Sequence, residues 1–195
     1  MSPFRRFFSR HPFDFIPPGW WPRFFWLLFG LTILLMAVFL ITGAPLTTEA
    51  APYGVVSFEV AGSVENARKI IRSWDANAQL RAAFGLGLDY LFMVAYASTI
   101  AFGCGIAANL LRKQGWPLAK WGNLLAWGVI LAALLDAVEN IALTILLWGT
   151  LANPWPGIAR WCAIFKFALI FFGIVYVIYG GVVALVERLS PAEQE

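Results

Sequence analysis

The sequence predicts an all-α, polytopic membrane protein with four transmembrane helices, and three features of the 195-residue chain support that prediction. Hydrophobic residues make up 61% of the chain and charged residues only 13%, which is too apolar for an ordinary soluble domain. Four stretches reach the roughly 20 apolar residues that a helix needs to cross the hydrocarbon core of a bilayer. Tryptophan, which favours the headgroup region, clusters near the ends of these stretches.

The apolar stretches cover residues 24–41, 82–111, 118–151 and 157–186. The last three are longer than one crossing requires, so we expect them to tilt, kink or protrude. Turns rich in glycine and proline join the second stretch to the third and the third to the fourth. Short connections predict that these three helices are antiparallel neighbours, within a single transmembrane domain that covers residues 24–186.

Small residues on two of these stretches predict close contact between helices. Gly103 and Ala107 lie four residues apart on the second stretch, and Gly173 and Gly180 lie on the fourth. Membrane helices approach one another closely where such residues meet, because there is no side chain to hold the backbones apart. We expect a structural role for these four positions.

Basic residues predict the orientation of the chain. They precede the first stretch and surround the turn between the second and third, at Arg5, Arg6, Arg10, Arg23, Arg112, Lys113 and Lys120. By the positive-inside rule, the leader (residues 1–23) and the tail (residues 187–195) are both cytoplasmic, and the protein lies in the cell inner membrane. The net charge of +3 then reflects topology and not nucleic-acid binding.

The leader mixes arginine, phenylalanine and proline, which is typical of an interfacial segment on the inner leaflet or of a simple topogenic anchor. A cleavable signal peptide is another reading of this basic start and the first apolar stretch. The leader is long and rich in proline, and the apolar stretch exceeds the usual length of a signal sequence. We therefore interpret the first stretch as a transmembrane helix.

Residues 42–81 form the predicted outer segment between the first two spans. The β-branched residues within 55–60 predict a short extended piece. From residue 63 to residue 81, apolar residues recur every three or four positions on one face, with Trp74 among them. This periodicity predicts an extracytoplasmic amphipathic helix that lies on the outer surface or caps the bundle.

Four charged residues interrupt the apolar stretches, namely Asp89, Asp136, Glu139 and Lys166. A charged group in hydrocarbon costs about 3 kcal/mol on insertion scales, so each of them needs a partner or a function. Counted from the outer ends of the spans, Asp89, Asn140 and Lys166 reach a similar depth.

Helical spacing groups these polar residues further. Asp136, Glu139 and Asn140 share one face of the third helix, with Asp136 a turn deeper, and Asp89 shares a face with Tyr96. We therefore expect the second, third and fourth helices to enclose a polar pocket that opens outward.

A structural ion-pair network is the alternative to a pocket. Lys166 would then pair with Glu139 or Asp89 and fix the register of the helices. The charges do not balance, because three carboxylates face one lysine, or two cations if Arg160 reaches in. Surplus carboxylates in a low dielectric are protonated, bind a cation or open to water.

Signatures of catalytic and cofactor sites are largely missing from the sequence. The only histidine, His11, lies in the leader, which argues against haem, zinc and di-iron sites within the membrane. Cys104 and Cys162 lie toward opposite ends of their spans, so we predict no disulfide. The acidic residues suit Ca²⁺ or Mg²⁺, but the neighbouring Lys166 disfavours a metal, and four helices supply little of a retinal pocket. We assign no catalytic residue, no metal site and no cofactor.

Two short motifs carry a resemblance. In Leu88-Asp89-Tyr90-Leu91-Phe92 and in Asp136-x-x-Glu139-Asn140, the chain resembles an uncharacterised group of small bacterial four-helix membrane proteins. The resemblance covers the second and third helices and implies no activity.

Two functions remain open from the sequence. In the first, the outward-facing pocket binds a small polar or amphiphilic ligand, such as a lipid headgroup. In the second, the chain is an accessory structural subunit of a larger membrane complex, and its aromatic faces pack against partner subunits. The lipid bilayer is a partner in both.

Overall fold

A computed structural model of the chain describes residues 10–189, so residues 1–9 of the predicted leader and 190–195 of the predicted tail lie outside it. Every regular element in this range is helical. The α-helices are α1 (Trp21–Gly43), α2 (Val55–Glu59), α3 (Val64–Ser73), α4 (Ala76–Lys113), α5 (Gly122–Leu147) and α6 (Trp155–Leu189). With their flanking turns, α1, α4, α5 and α6 are long and apolar enough to cross a membrane, which confirms the predicted all-α, four-span fold.

The four long helices are not equivalent. Helices α4, α5 and α6 pack against one another, while α1 packs against α4 and scarcely touches α6. Within its most apolar 18 residues, α4 is 67% buried and α1 only 6%. Helix α4 is therefore the centre of the bundle, and α1 is a peripheral helix attached to one side of it.

The amphipathic region between the first two spans is two helices and not the single helix predicted over residues 63–81. Helix α3 begins after Ser63, whose hydroxyl accepts a hydrogen bond from the backbone N–H of Asn66 at 3.2 Å. Helix α4 begins after Asp75, whose carboxylate accepts one from the N–H of Ala78 at 2.7 Å. Each of these side chains pairs with a backbone N–H that the first turn of its helix leaves without a partner. The helical conformation is therefore interrupted between them at Trp74, where the backbone is extended.

The extended piece predicted over residues 55–60 is wrong, because these residues form the short helix α2. Their β-branched side chains favour strands only where a neighbouring strand offers a surface to pack on, and none does here. Burial of Phe58, which is 1% exposed and packs edge-on against Trp74 with 5.4 Å between the ring centroids, decides the conformation instead. We call the end of the bundle that carries α2 and α3 the cap end, and the opposite end the leader end.

The described part of the leader packs against the bundle. The side chain of His11 is 4% exposed, its ring lies 4.5 Å from that of Trp21, and its Nε2 hydrogen-bonds the carbonyl oxygen of Ala101 at 2.9 Å. Gly105 makes this contact possible, since a β-carbon there would overlap the Trp21 ring and lie 2.9 Å from Nε2 of His11. This described part of the leader is thus docked on α4 through His11.

Small residues bring α4 and α6 together near the leader end, which confirms the close approach predicted from them. A β-carbon on Gly180 would overlap the side chain of Ala107 and lie 3.0 Å from its Cα. A β-carbon on Gly103 would lie 2.8 Å from Val177 of α6 and 3.2 Å from Phe25 of α1. Three helices therefore meet at Gly103 with no room for a further methyl group.

Candidate functional site

Lys166 of α6 is the centre of a buried ionic cluster. Its Nζ donates to Oδ1 of Asp136 at 2.6 Å and to Oε1 of Glu139 at 2.9 Å, both on α5. Oε2 of Glu59, at the end of α2, lies 3.8 Å from the same nitrogen. These four residues form what we call the Lys166 cluster. Because its members come from α2, α5 and α6, it joins the cap to the bundle.

Two further polar residues of α4 flank the cluster. The phenol of Tyr96 donates to Oδ2 of Asp136 at 2.9 Å. The side-chain amide of Asn140 donates to Oδ2 of Asp89 at 2.7 Å. Asp136 therefore accepts from Lys166 with one oxygen and from Tyr96 with the other. Asp89 instead accepts from Asn140 and has no hydrogen bond with Lys166.

Lys166 reaches both acids of α5, whereas Arg160 stays outside the cluster. Lys166 lies between Asp136 and Glu139 and donates to both, although Asp136 lies about a turn deeper along α5. These two acids are neighbours on one helix face by their three-residue spacing, and the flexible lysine stem adjusts to the gap between them. Arg160 does not reach in: it is exposed, and it packs over the backbone of Gly62, where a β-carbon would lie 2.8 Å from its Nη1.

The cluster holds more carboxyl groups than one ammonium can satisfy. Within residues 10–189, Oε2 of Glu59 and Oε2 of Glu139 are both buried without a hydrogen-bond partner. Burial raises the pKa of Glu59 above its ordinary value, and the ammonium of Lys166 opposes that rise. The Glu139 carboxyl lies within hydrogen-bonding reach of Glu59, and two carboxyl groups bond to each other only when one of them holds a proton. One proton held between Glu59 and Glu139 would supply the missing partner.

A cavity of about 650 Å³ lies between α1, α4 and α6, and we call it the α1/α6 groove. Its walls are mainly aliphatic and aromatic side chains of these three helices. Phe25 and Val177, which meet at Gly103, bound it toward the leader end. The charged lining and the Asn140 amide lie toward the cap end, namely Glu59, Arg81, Asp89, Asp136, Asn140 and Lys166, while the other polar lining groups are the hydroxyls of Thr32, Thr42, Tyr96 and Thr99. The Lys166 cluster and the Asp89–Asn140 pair are thus the polar end of an otherwise apolar groove.

The chemistry that this arrangement can perform follows from its groups. A volume in this range with a few convergent polar groups is typical of a small-molecule site. No three histidine, cysteine or acidic side chains in the described range are placed to hold a metal ion together. Both cysteines are free, and Cys104 is buried with its thiol directed at the carbonyl oxygen of Gly173, 3.8 Å away. The groove can therefore hold a molecule that is apolar along most of its length and polar at one end.

The sequence analysis did not predict that Glu59 belongs to the site or that α1 forms a wall of the groove. Glu59 was assigned to an outer extended piece, although its position as the only charge in the apolar run 54–64 marked it as a candidate for burial. Helix α1 contributes a groove wall without any charged side chain, and its one polar contact with α4 is the hydroxyl pair Thr32–Thr99 at 3.4 Å. Nothing in the sequence of α1 distinguishes a groove wall from a lipid-facing surface.

The site must be interpreted from its own geometry, because comparisons of this chain with protein-family models, with curated proteins and with solved structures find no match.

Proposed function

We propose that this multi-pass membrane protein binds a single amphiphilic molecule in the α1/α6 groove, with its apolar chain along the groove and its polar head at the cap end. One observation carries the proposal: the cavity of about 650 Å³ is apolar along its length and has all its charged groups at one end. That distribution matches an amphiphile and suits neither a wholly apolar nor a wholly polar ligand.

The dimensions of the groove fit such a molecule. Asp89 and Ile100 both line it, and eleven residues of α4 separate them, which is roughly 16 Å along a helix. Phe92 and Tyr96 also contribute to this wall, beside apolar residues of α6. An acyl or prenyl chain that runs along this wall exchanges lipid contacts for protein contacts and leaves its head beside the polar residues.

The molecule would reach the groove sideways from the lipid. At the cap end, Leu46 and Val55 of α2 line the groove. Helices α1 and α6 scarcely touch, so the space between them is the unobstructed side. Lateral access suits a ligand that already resides in the bilayer.

Two glycines of α4 provide a matched test. Gly85 lines the groove one turn from Asp89, and Gly87 is exposed and does not line it; a β-carbon at either position would meet nothing within 4 Å. Gly85→Leu should fill the groove, whereas Gly87→Leu should add a side chain on the lipid side. Both changes improve helix propensity by about 0.8 kcal/mol, so neither should unfold α4.

The measurement is native mass spectrometry of protein extracted from its own membrane in mild detergent. We expect wild type and Gly87→Leu to retain a bound amphiphile and Gly85→Leu to lose at least nine-tenths of it. Equal retention by the two variants would contradict binding in the groove.

We further infer that the membrane is a bacterial inner membrane, that both termini are cytoplasmic and that the cap end faces outward. The basic leader and the basic residues around the end of α4 support this orientation by the positive-inside rule. The resemblance to small bacterial four-helix membrane proteins supports the location. An alkaline phosphatase fused to the C-terminus should be inactive, and an active fusion would reverse the orientation.

An accessory role in a larger complex is the second candidate, and the exposure of α1 favours it. Side chains such as Trp26 and Leu40 of α1 are 66% and 77% exposed, a surface that a partner helix would cover as well as lipid would. Purification in mild detergent separates the two functions. Partner subunits that co-purify in fixed stoichiometry would support the accessory role, and a lone small oligomer would support the groove.

A further inference from the structure

Asp89 is the acidic side chain of the groove that has no cation. Within residues 10–189 it forms no ion pair, and its carboxylate accepts a hydrogen bond from the neutral amide of Asn140. Lys166 is engaged elsewhere, because its ammonium donates to Asp136 and Glu139 and has Glu59 as its third neighbour. No protein group in the cluster is left to neutralise Asp89 by direct contact.

Asp89 also has open space beside it. Its side chain lines the groove and is partly exposed, unlike Glu139, which is fully buried. Gly85 lies one helical turn from Asp89 toward the cap end, and the space beside it is open, since a β-carbon there would have no neighbour within 4 Å. A ligand headgroup therefore has room next to the carboxylate.

The charges at the polar end select the sign of that headgroup. Four carboxyl groups line or adjoin it, from Glu59, Asp89, Asp136 and Glu139. With one proton shared between Glu59 and Glu139 and one ammonium from Lys166, these four carboxyl groups and the lysine keep two negative charges. Charge interactions are stronger between apolar walls than in water, so an added anion would be repelled and an added cation attracted.

Arg81 is the other cation that lines the groove, and it lies toward the cap end near the start of α4. Its Nε donates to Asn77 at 2.9 Å. It precedes Asp89 by eight residues, which is roughly 12 Å along α4 and too far for direct contact with that carboxylate. Arg81 offsets part of the surplus charge without satisfying Asp89.

We propose that the amphiphile bound in the α1/α6 groove carries a positively charged amine headgroup and that Asp89 binds this amine. The inference rests on the proposed function and adds the chemical class of its ligand. The amine would lie in the open space beside Gly85, and the apolar chain would extend from it toward Ile100.

The first experiment uses wild-type protein in phosphatidylcholine nanodiscs, which carry no net charge. Three amphiphiles of the same chain length are added, a primary alkylamine, an alcohol and a carboxylate, and the thermal unfolding midpoint is recorded. Ligands that bind the native state raise that midpoint. We expect the amine to bind at least about tenfold more tightly than the alcohol, and the carboxylate to give no shift. Empty nanodiscs correct for partitioning into lipid.

Variants then assign the effect to Asp89. Asp89→Asn preserves the shape of the side chain and removes its charge, so the preference for the amine should disappear while the alcohol still binds. Glu49→Gln is the matched control, because Glu49 is an exposed carboxylate in the loop before α2 and does not line the groove. It should retain the full amine preference.

Each outcome has a distinct meaning. Equal binding of amine and alcohol by wild type, or an amine preference that persists in Asp89→Asn, would overturn the assignment of the headgroup. Absence of binding by every amphiphile would overturn the proposed function itself. If Asp89→Asn does not fold, the headgroup series on wild type still decides between amine and alcohol.

Discussion

Helices α4 and α6 meet in two different ways in the two halves of the bundle. Toward the leader end, Gly180 lies so close to Ala107 that even one added carbon would overlap it. Toward the cap end, the same helices present Asp89 and Lys166 to a cavity. Glycine and alanine allow close approach, whereas long polar side chains need both space and partners. The tight half holds the helices in place, so that the other half can keep a groove open.

Replacing Lys166 by Met, in the half of the bundle toward the cap end, should have the largest effect on stability. The change leaves Asp136 and Glu139 buried without their cation, and we expect it to reduce the free energy of unfolding by about 3 kcal/mol. Unfolding in detergent by heat or denaturant measures this. Adding Glu139→Gln to Lys166→Met should recover much of the loss, since it removes one of the unpaired charges. A single variant that is as stable as wild type would show that the cluster contributes little to the stability of this half.

The tight half can be tested with two adjacent glycines. Gly180→Ala forces the backbones of α4 and α6 apart, and overpacking of this kind costs about 1–3 kcal/mol. Gly181→Ala is the control, because a β-carbon there meets nothing within 4 Å and alanine favours the helix by about 0.8 kcal/mol. The same unfolding assay compares them. If both variants gain stability, the crossing is looser than the structure indicates.

A smaller, pH-dependent effect is expected at His11, which docks the described part of the leader on α4. Burial lowers the pKa of His11 below 6.5, against opposing contributions from the carbonyl of Ala101 and the carboxylate of Asp14. The neutral ring donates from Nε2 to Ala101, and its Nδ1 accepts from the N–H of Phe13 at 3.2 Å, so protonation of Nδ1 would remove this acceptor. The unfolded chain then binds the proton more readily than the folded protein, and stability should fall as the pH drops below 6.5.

Amide hydrogen exchange of the leader, followed from pH 7.5 to pH 5, measures this effect. His11→Gln should exchange at a rate that varies little with pH once the intrinsic pH dependence is subtracted. The comparison between the two proteins matters, because Glu59 has a raised pKa and contributes stability of the opposite sign, lost as the pH rises. Identical corrected profiles for wild type and His11→Gln would exclude His11 as the cause.

The sequence was most informative where a single physical cost dominated. The length of the apolar stretches predicted the four spans, and the cost of charge in hydrocarbon singled out Asp89, Asp136, Glu139 and Lys166 before their contacts were known. The missed features depend on tertiary contacts. Glu59 joins the cluster because burial of Phe58 makes α2 a helix, and no local pattern in residues 55–60 indicates that burial. Whether Arg160 reaches the cluster could not be predicted, because proximity in sequence to a buried site says nothing about the direction of a long side chain.

Helix α1 is fixed near both ends, and most of its side chains between them are not buried in the protein. At the leader end, the indole of Trp21 donates to the carbonyl oxygen of Ile16, and the His11 ring packs against the same indole. At the cap end, the indole of Trp74 donates to the carbonyl oxygen of Leu46, just after α1. A ligand of the groove would therefore exchange with neighbouring lipids by lateral diffusion in the membrane, without passing through water. Its dissociation constant is then expressed as a mole fraction in the bilayer. Diluting the sample with buffer should leave occupancy unchanged, whereas diluting the membrane with inert lipid should empty the site.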